Sequence, residues 1–194
     1  MRAEGGWLPF DRFMAMALYE PGLGYYANEG LKFGAMPASG SDFVTAPEMS
    51  PLFGRALAVQ VAQALQACAS GEIWEFGAGS GALAAQLLNE LGERVTAYHV
   101  VELSASLRER QMLHLRPWGE RLQWHQQLPE RLDGVLIGNE VLDAMPVQLL
   151  HWDGCQWFER GVAARDDAWV WRDRPTSLRP PQADLVPGAV VEIH

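Results

Sequence analysis

Residues 73–84, Ile-Trp-Glu-Phe-Gly-Ala-Gly-Ser-Gly-Ala-Leu-Ala, decide the fold that we expect for this chain. An apolar run that contains a carboxylate, three glycines at alternate positions and an Ala/Leu-rich segment are typical of a strand, a tight turn and the start of a helix. Gly77, Gly79 and Gly81 lack a Cβ and accept positive φ, so the turn can lie flat against a ligand. Free N–H groups at the helix start would face the same ligand.

The spacing of these glycines differs from that of dinucleotide-binding proteins. Those proteins usually carry Gly-x-Gly-x-x-Gly, which places a pyrophosphate on the helix N-terminus. Here the pattern is acidic-x-Gly-x-Gly-x-Gly, with Glu75 two positions before the first glycine. It resembles motif I of the class I S-adenosylmethionine (SAM) dependent methyltransferases, whose ligand carries an amino acid, a ribose and an adenine but no phosphate. An ordinary strand-to-helix turn is the alternative interpretation of the loop alone.

A second carboxylate favours a nucleoside ligand. Residues 95–102 predict a strand that ends in Glu102, 21 residues beyond Gly81. In nucleotide-binding α/β folds, an acidic group at about this separation accepts hydrogen bonds from the ribose hydroxyls. The glycine loop and Glu102 together therefore predict a site for a ribosyl ligand.

Size and charge exclude some function classes. A chain of 194 residues can bury the core of one large or two small domains. Its 24 acidic and 15 basic side chains give a net charge of −9, which repels nucleic acid and favours cationic partners. We expect no nucleic-acid partner.

Metal, disulfide and membrane signals are not apparent in the sequence. Cys68 and Cys155 form no Cys-x-x-Cys motif, and we expect two buried thiols. The five histidines show no His-x-x-x-His spacing, so no metal site is predicted. No apolar run approaches the ~18 residues of a membrane-spanning helix, and no signal peptide is recognisable. These features predict a cytoplasmic protein.

The first third of the chain predicts helices around an aromatic loop. Apolar residues recur at helical spacing over 7–19, and Pro21-Gly22 ends that helix. Residues 24–47 show no regular period but carry several aromatic side chains, so we expect this loop to cover the mouth of the ligand site. Ser50-Pro51 starts a helix that runs to about residue 69.

Beyond the glycine loop, strands alternate with helices. Helices are predicted over 82–91 and 104–115, and strands over 122–126 and 134–139. The last of these strands is a continuous apolar run, which favours burial on both faces. This alternation predicts a parallel sheet.

The C-terminal part changes character. Short strands are predicted over 147–152, 156–162 and 168–172, separated by turn residues, which favours an antiparallel meander. Residues 174–187 are proline-rich and 189–193 are again strand-like.

Polar residues follow the strand 134–139. Asn139 and Glu140 would leave that strand at its carboxyl end, where open α/β sheets bind their ligands. Asp143 would share the face of Glu140 if one helical turn follows. Such groups suit a methyl acceptor.

Taken as a whole, the chain resembles the MidA-type methyltransferases, whose mitochondrial members are protein arginine methyltransferases involved in assembly of respiratory complex I. The resemblance rests on motifs spread along the chain: Phe13-Met14 with Ala17-Leu18-Tyr19 and Pro21, Gly24-Tyr25-Tyr26, 42–48 (Asp-Phe-Val-Thr-Ala-Pro-Glu) with Ser50 and Phe53-Gly54, 75–81, Val101-Glu102 with Ser104, Leu107, Arg108 and Gln111, and 139–147. Ser41 is a departure, because glycine is expected there.

The resemblance implies a class I, Rossmann-like α/β fold with a mostly parallel sheet and helices on both faces. Such sheets have seven strands in the order 3-2-1-4-5-7-6, and family members look nearly twice as long, so we expect an incomplete chain. Three segments are expected: an N-terminal helical and aromatic-loop extension (1–70), a SAM-binding core with the first four strands (71–147), and an antiparallel meander with a proline-rich segment (148–194).

The resemblance further implies methyl transfer from SAM to a protein side chain, with arginine as the acceptor. The expected cofactor-binding residues are Glu75, Gly77, Ala78, Gly79, Ser80, Gly81, Glu102, Leu103, Gln126, Gln127 and Asn139. The expected catalytic residues are Asn139, Glu140, Asp143, Asp42 and Glu48. Asp143 as a turn cap, and Asp42 and Glu48 as solvated loop residues, are the alternatives.

The predicted partner is a protein substrate, by resemblance a respiratory-complex subunit, and the oligomeric state is open. Two other functions remain compatible with the sequence. One is a SAM-binding assembly factor that docks a partner without catalysis, since a fold does not imply a function. The other is a nicotinamide-dependent oxidoreductase.

Overall fold

The structure, a computed structural model, describes residues 6–27, 44–166, 168–181 and 184–194. Its helices are α1 (Phe10–Tyr19), α2 (Ala46–Met49), α3 (Pro51–Cys68), α4 (Ala82–Leu91) and α5 (Ala105–His114). Its strands are β1 (Trp7–Pro9), β2 (Glu72–Phe76), β3 (Ala97–Val101), β4 (Leu122–His125), β5 (Val135–Gly138), β6 (Gln148–Trp152), β7 (Trp157–Arg165), β8 (Ala168–Pro175) and β9 (Val190–Ile193).

The described residues form two compact units. The nucleotide-fold unit contains the residues from 44 to Asp143, and the antiparallel unit contains those up to 27 together with those from Ala144 onward. The three-segment division expected from the sequence stays a prediction.

The nucleotide-fold unit is built on a parallel sheet. Its four strands lie in the order β4-β3-β2-β5, and every neighbouring pair is parallel. In chain order this is 3-2-1-4, the arrangement expected for the first four strands of a class I methyltransferase. The carboxyl ends of these strands lie at the same edge, so the loops that follow them share one side of the sheet.

The core of this unit lies on one face of the sheet. Its fully buried side chains come from strands and helices alike and include Ile73, Leu87, Leu88, Tyr98, Val100 and Leu115. Burial of each large apolar side chain contributes about 1.5–3 kcal/mol. The helix α3 begins at its predicted cap, where the Ser50 hydroxyl accepts the N–H of Leu52 at 3.1 Å.

The strand β5 corrects one expectation. Val135 and Ile137 pack against the core, but Leu136 on the other face is 51% exposed. The strand is therefore not buried on both faces. The connection 126–134, all of which is described, contains no helix that could cover that face.

The antiparallel unit confirms the predicted meander. Its sheet has the order β1-β7-β6-β9, with β8 pairing β7. The β6–β7 hairpin turns at Asp153, whose carboxylate accepts the N–H groups of Cys155 and Gln156, both at 2.7 Å. Residues 189–193, strand-like in sequence, supply β9, which pairs with β6.

A charge cluster ties three strands of this sheet together. Arg160 on β7 forms a bidentate pair with Asp173 on β8, with N–O distances of 2.8 and 2.9 Å. His151 on β6 lies 2.7 Å from the same carboxylate. The hydrogen bonds from Arg160 lower the pKa of Asp173 below its ordinary value, so the Arg160–Asp173 pair stays charged at neutral pH.

The N-terminal helix is shorter than predicted. Residues 7–9 form β1 instead, because Trp7, Leu8 and Pro9 pair with Ala163, Val162 and Gly161 of β7. The indole nitrogen of Trp7 also donates to the carbonyl of Arg172 at 2.7 Å. The helix α1 then packs its Phe10 and Phe13 rings against Trp171 and Trp169.

Two further sequence expectations concern exposure and membranes. Cys68 and Cys155 are exposed rather than buried, because they lie at the end of α3 and in the β6–β7 turn. Within the described ranges, no helix combines the length and the apolarity needed to cross a membrane.

Gly161 provides a test of the β1–β7 pairing. A Cβ at this position would overlap the carbonyl oxygen of Leu8 and the indole of Trp7. We expect Gly161→Ala to lower the free energy of unfolding by about 1–3 kcal/mol, measured by urea denaturation. Gly138→Ala is the control, because its Cβ would make only ordinary contacts with Val141 at 3.5 Å and beyond. Equal losses in the two variants would contradict the packing described.

Candidate active site

The loop between β2 and α4 adopts the bend that the sequence predicts. Gly77, Gly79 and Gly81 have φ values of 60°, 56° and 83°, all in the left-handed region that favours glycine. The N–H of Gly77 donates to the carbonyl of Val101 at 3.0 Å, which joins the loop to the end of β3. The loop therefore lies at the carboxyl edge of the sheet.

A single buried side chain joins this loop to Glu102. The amide nitrogen of Gln111 donates to the carbonyl of Gly79 at 3.0 Å and to Oε2 of Glu102 at 3.1 Å. Its amide oxygen accepts the indole N–H of Trp124 at 3.2 Å. Gln111 has no exposed surface, so the loop and the acid lie on the same side of the sheet and are held together.

Gln111 was not among the predicted site residues, although it belongs to a motif of the family resemblance. A signal for it exists in the sequence. Leu107, Gln111 and Leu115 recur at intervals of four on the buried side of α5 and the residue after it. A glutamine on an otherwise apolar stripe needs buried polar partners.

Glu102 is held in place by hydrogen bonds from Ser104 and Gln111. Its side chain is 7% exposed, and its Oε1 accepts the N–H of Ser104 at 3.0 Å. Burial raises the pKa of this carboxyl above its ordinary value, while the bonds from Ser104 and Gln111 act in the opposite direction. Each carboxylate oxygen has two lone pairs, so acceptor capacity remains for ribose hydroxyls.

Glu75 lies deeper, inside the sheet. Its side chain is 2% exposed, and Oε2 accepts the hydroxyl hydrogen of Tyr98 at 2.7 Å. Burial raises the pKa of Glu75 to about 7, against the lowering effect of the Tyr98 bond, and the charge of Glu102 adds to the rise. Near neutral pH, the neutral and charged forms of this carboxyl are therefore both populated.

A small cavity of about 40 Å³ opens beside the loop. Its walls come from the α2 segment, the glycine loop and the end of β5, and they comprise Thr45, Pro47, Glu48, Glu75, Gly77, Ala78, Gly79, Ser80, Ala82, Leu83 and Asn139. The structure thus brings together two predicted catalytic residues, Glu48 and Asn139, with most of the predicted cofactor-binding loop. Only a small end of a ligand fits in this volume.

The other predicted site residues lie outside this cavity or outside the described residues. Glu140 and Asp143 are exposed beyond β5, Leu103 is 67% exposed after β3, and Gln126 and Gln127 are exposed after β4. None of them lines the cavity. Asp42 lies outside the described residues. The assignment of roles to all of these residues stays a prediction.

A larger groove of about 840 Å³ lies elsewhere in this unit. It runs along α3 and α4 to Gly71, which precedes β2. That is the amino end of the strand, whereas open parallel sheets bind ligands beyond the carboxyl ends. We therefore place the site at the glycine loop. Within the described ranges, no group of three or more His, Cys, Asp or Glu could hold a metal ion.

Solved structures share this fold. A crystal structure of a protein from Burkholderia thailandensis with bound S-adenosyl-homocysteine (SAH) is 47% identical to this chain, with a TM-score of 0.82 over 92% of this chain and 48% of that one. A native crystal structure from the same organism is 44% identical, with a TM-score of 0.81 over 100% of this chain and 52% of that one.

Curated relatives carry a functional name. Protein arginine methyltransferase NDUFAF7 homolog, mitochondrial, of Caenorhabditis elegans is 30% identical over 173 residues, covering 76% of this chain and 40% of the relative. The homolog of the same name from Drosophila melanogaster is 27% identical over 194 residues, covering 84% of this chain and 43% of the relative. The chain thus spans about two fifths of these relatives and about half of the solved structures.

The pKa of Glu75 predicts a pH-dependent stability. Its folded-state pKa of about 7 lies above the ordinary 4.5, so the folded protein holds a proton that the unfolded chain loses between these values. The contribution of this bound proton to the free energy of unfolding is roughly 3 kcal/mol. It is complete below pH 4.5 and is lost as the pH rises through 7. Glu75→Gln should therefore gain stability relative to the unsubstituted protein between pH 5 and pH 8, measured by urea denaturation. A difference that is constant over this range would contradict the burial described.

The Gln111 bridge predicts a loss of ligand affinity on substitution. Gln111→Leu would leave the Gly79 carbonyl, a Glu102 oxygen and the Trp124 N–H without a partner. We expect the affinity for SAH to fall about tenfold or more, measured by calorimetric titration. Glu109→Gln, an exposed change on the same helix, should leave it unchanged. A folded Gln111→Leu variant with full affinity would show that the bridge does not support the site.

A model of a family of SAM-dependent methyltransferases matches residues 56–193. This range contains the glycine loop, Glu102 and Gln111. SAM is the cofactor of the family, in agreement with the SAH found in one of the solved structures. The resemblance noted in the sequence is confirmed, and the chain belongs to the MidA-type family of SAM-dependent methyltransferases.

Proposed function

We propose that the protein transfers the methyl group of SAM to an arginine side chain of a partner protein. The observation that carries the proposal is the Gln111 bridge, which holds the bent glycine loop and the Glu102 carboxylate side by side. Arginine as the acceptor is supported by the names of the curated relatives.

Different residues of the chain would bind different parts of the cofactor. The backbone of Gly77 and Gly79 would hold the amino acid end of the cofactor, and Glu102 would accept hydrogen bonds from the ribose hydroxyls. The proposed contacts of the adenine are Leu103, Gln126 and Gln127, which are exposed at the same edge. SAM supplies an activated methyl group when bound, so the protein mainly has to place the acceptor nitrogen in line with it.

The carboxylates beyond β5 are the proposed contacts of the methyl acceptor. Glu140 and Asp143 are exposed, next to Asn139 in the cavity wall. Glu140 has a φ of 58°, which is uncommon for a residue with a side chain and is often found at functional sites. Carboxylates in such positions can accept hydrogen bonds from a guanidinium and take up the proton that it loses.

The charge of the protein suits such a substrate. A net charge of −9 attracts the basic segments in which arginine occurs. A respiratory-complex subunit as the methylated protein and a cytoplasmic location both stay predictions from the sequence.

The two carboxylates can be tested in the full-length protein by transfer of a labelled methyl group from SAM to proteins of a cell extract. We expect Glu140→Gln combined with Asp143→Asn to reduce labelling about 100-fold or more, because the acceptor is no longer held or deprotonated. The affinity for SAH should stay within about twofold, since neither residue lines the cavity. Glu130→Gln, an exposed change before β5, is the matched control.

Mass spectrometry of the labelled protein should identify methylarginine. Labelling that survives both substitutions would show that these carboxylates do not form the acceptor site. A protein that binds SAH but labels no polypeptide would instead support the non-catalytic assembly factor.

A further inference from the structure

Glu48 carries a carboxylate with no partner. Both of its oxygens are inaccessible to solvent, and neither has a hydrogen-bond partner within the part of the chain that the structure describes. Burial of a carboxylate without a donor is unfavourable. Buried polar groups without a partner are rare in native proteins, and a functional role or a bound water or ion is the usual explanation.

The surroundings of Glu48 favour a cation. The cavity beside the glycine loop contains a second carboxyl, that of Glu75, and the amide of Asn139, but among its described lining residues there is no lysine or arginine. Glu75 already accepts a hydrogen bond from Tyr98. Glu48 is therefore the lining carboxylate whose oxygens are both available to an incoming donor.

Helix α4, which follows the glycine loop, holds the segment that carries Glu48 in place. Gln86 on α4 donates to the carbonyl of Pro47 at 2.6 Å and accepts the N–H of Gly54 on α3 at 2.9 Å. One side chain thus attaches α2 and α3 to α4. Because α4 begins directly after the loop, Glu48 and the loop share the same support.

The size of the cavity indicates which kind of cationic group fits beside Glu48. Its volume of about 40 Å³ is close to the share of one water molecule in the liquid, ≈ 30 Å³. A planar guanidinium on its side chain is larger, whereas an ammonium group is of this size. The amino acid end of SAM carries an ammonium group and is the end that Gly77 and Gly79 would hold in the function proposed above.

We propose that Glu48 accepts hydrogen bonds from the α-ammonium group of SAM. This role differs from the catalytic role expected from the sequence. It rests on SAM binding alone and does not depend on arginine as the methyl acceptor. Occupation of the site then supplies the donor that both carboxylate oxygens lack.

A comparison of two ligands tests this assignment. SAH and its des-amino analogue, in which hydrogen replaces the ammonium group, are titrated calorimetrically into the full-length protein and into Glu48→Gln. We expect the unsubstituted protein to bind SAH at least tenfold more tightly than the analogue. In Glu48→Gln this preference should fall below about threefold, through weaker binding of SAH. Glu93→Gln, an exposed change after α4, should retain the full preference.

The outcomes separate this proposal from the other possibilities. A preference for SAH that survives Glu48→Gln would overturn it, and so would an equal loss of affinity for both ligands. If Glu48 contacted the acceptor instead, SAH binding would be unchanged and the KM for the protein substrate would rise. Failure of the labelling experiment leaves this comparison intact, because only ligand binding is measured.

A second variant guards against a failure to fold. Glu48→Asp keeps the charge but withdraws the carboxylate from the cavity, and it should show an intermediate preference. The melting temperature of the ligand-free Glu48→Gln protein should not be lower than that of the unsubstituted protein, because an unpartnered buried charge has been removed. A lower melting temperature together with a full preference for SAH would assign Glu48 a purely structural role.

Discussion

The site depends on one buried amide. Gln111 satisfies a loop carbonyl, a carboxylate oxygen and an indole N–H at the same time. Because the hydrogen bonds of Gln111 to Gly79 and Glu102 are buried, separation of the loop from Glu102 would leave buried polar atoms without partners. The parallel sheet and the hydrogen bond from Gly77 to Val101 bring the two chain segments to one edge, and the amide joins the loop to the Glu102 side chain there.

Local signals in the sequence were sufficient to predict much of the fold. The glycine loop, the caps of α3 and the alternation of strands and helices each depend on residues that are neighbours along the chain, so their bounds agree with the structure to within a few residues. The class I strand order needed the family resemblance in addition. The antiparallel meander followed from turn residues, as at Asp153 and Gly154, which lie between strands that pair with each other.

Features that depend on distant contacts were missed. Residues 7–9 have an apolar pattern compatible with a helix, but the partner strand β7 lies about 150 residues further on and cannot be inferred from periodicity. The exposure of Leu136 depends on what covers a sheet face. Glu48 was named from a motif, yet its lack of a partner is visible only once the surroundings are known. For the same reason Gln111 was seen as part of a motif and not as part of the site.

Gln111 and the three groups that it binds come from four different pieces of chain: α5, the glycine loop, the end of β3, and β4. A change of any one of these residues would therefore require changes in the others. A chimera that took α5 from a distant homologue would need an amide at the matching turn of the grafted helix, whereas the irregular residues 128–132, beyond Gln126 and Gln127, take part in none of the contacts described above. Crossover points for recombining members of this family are best chosen there.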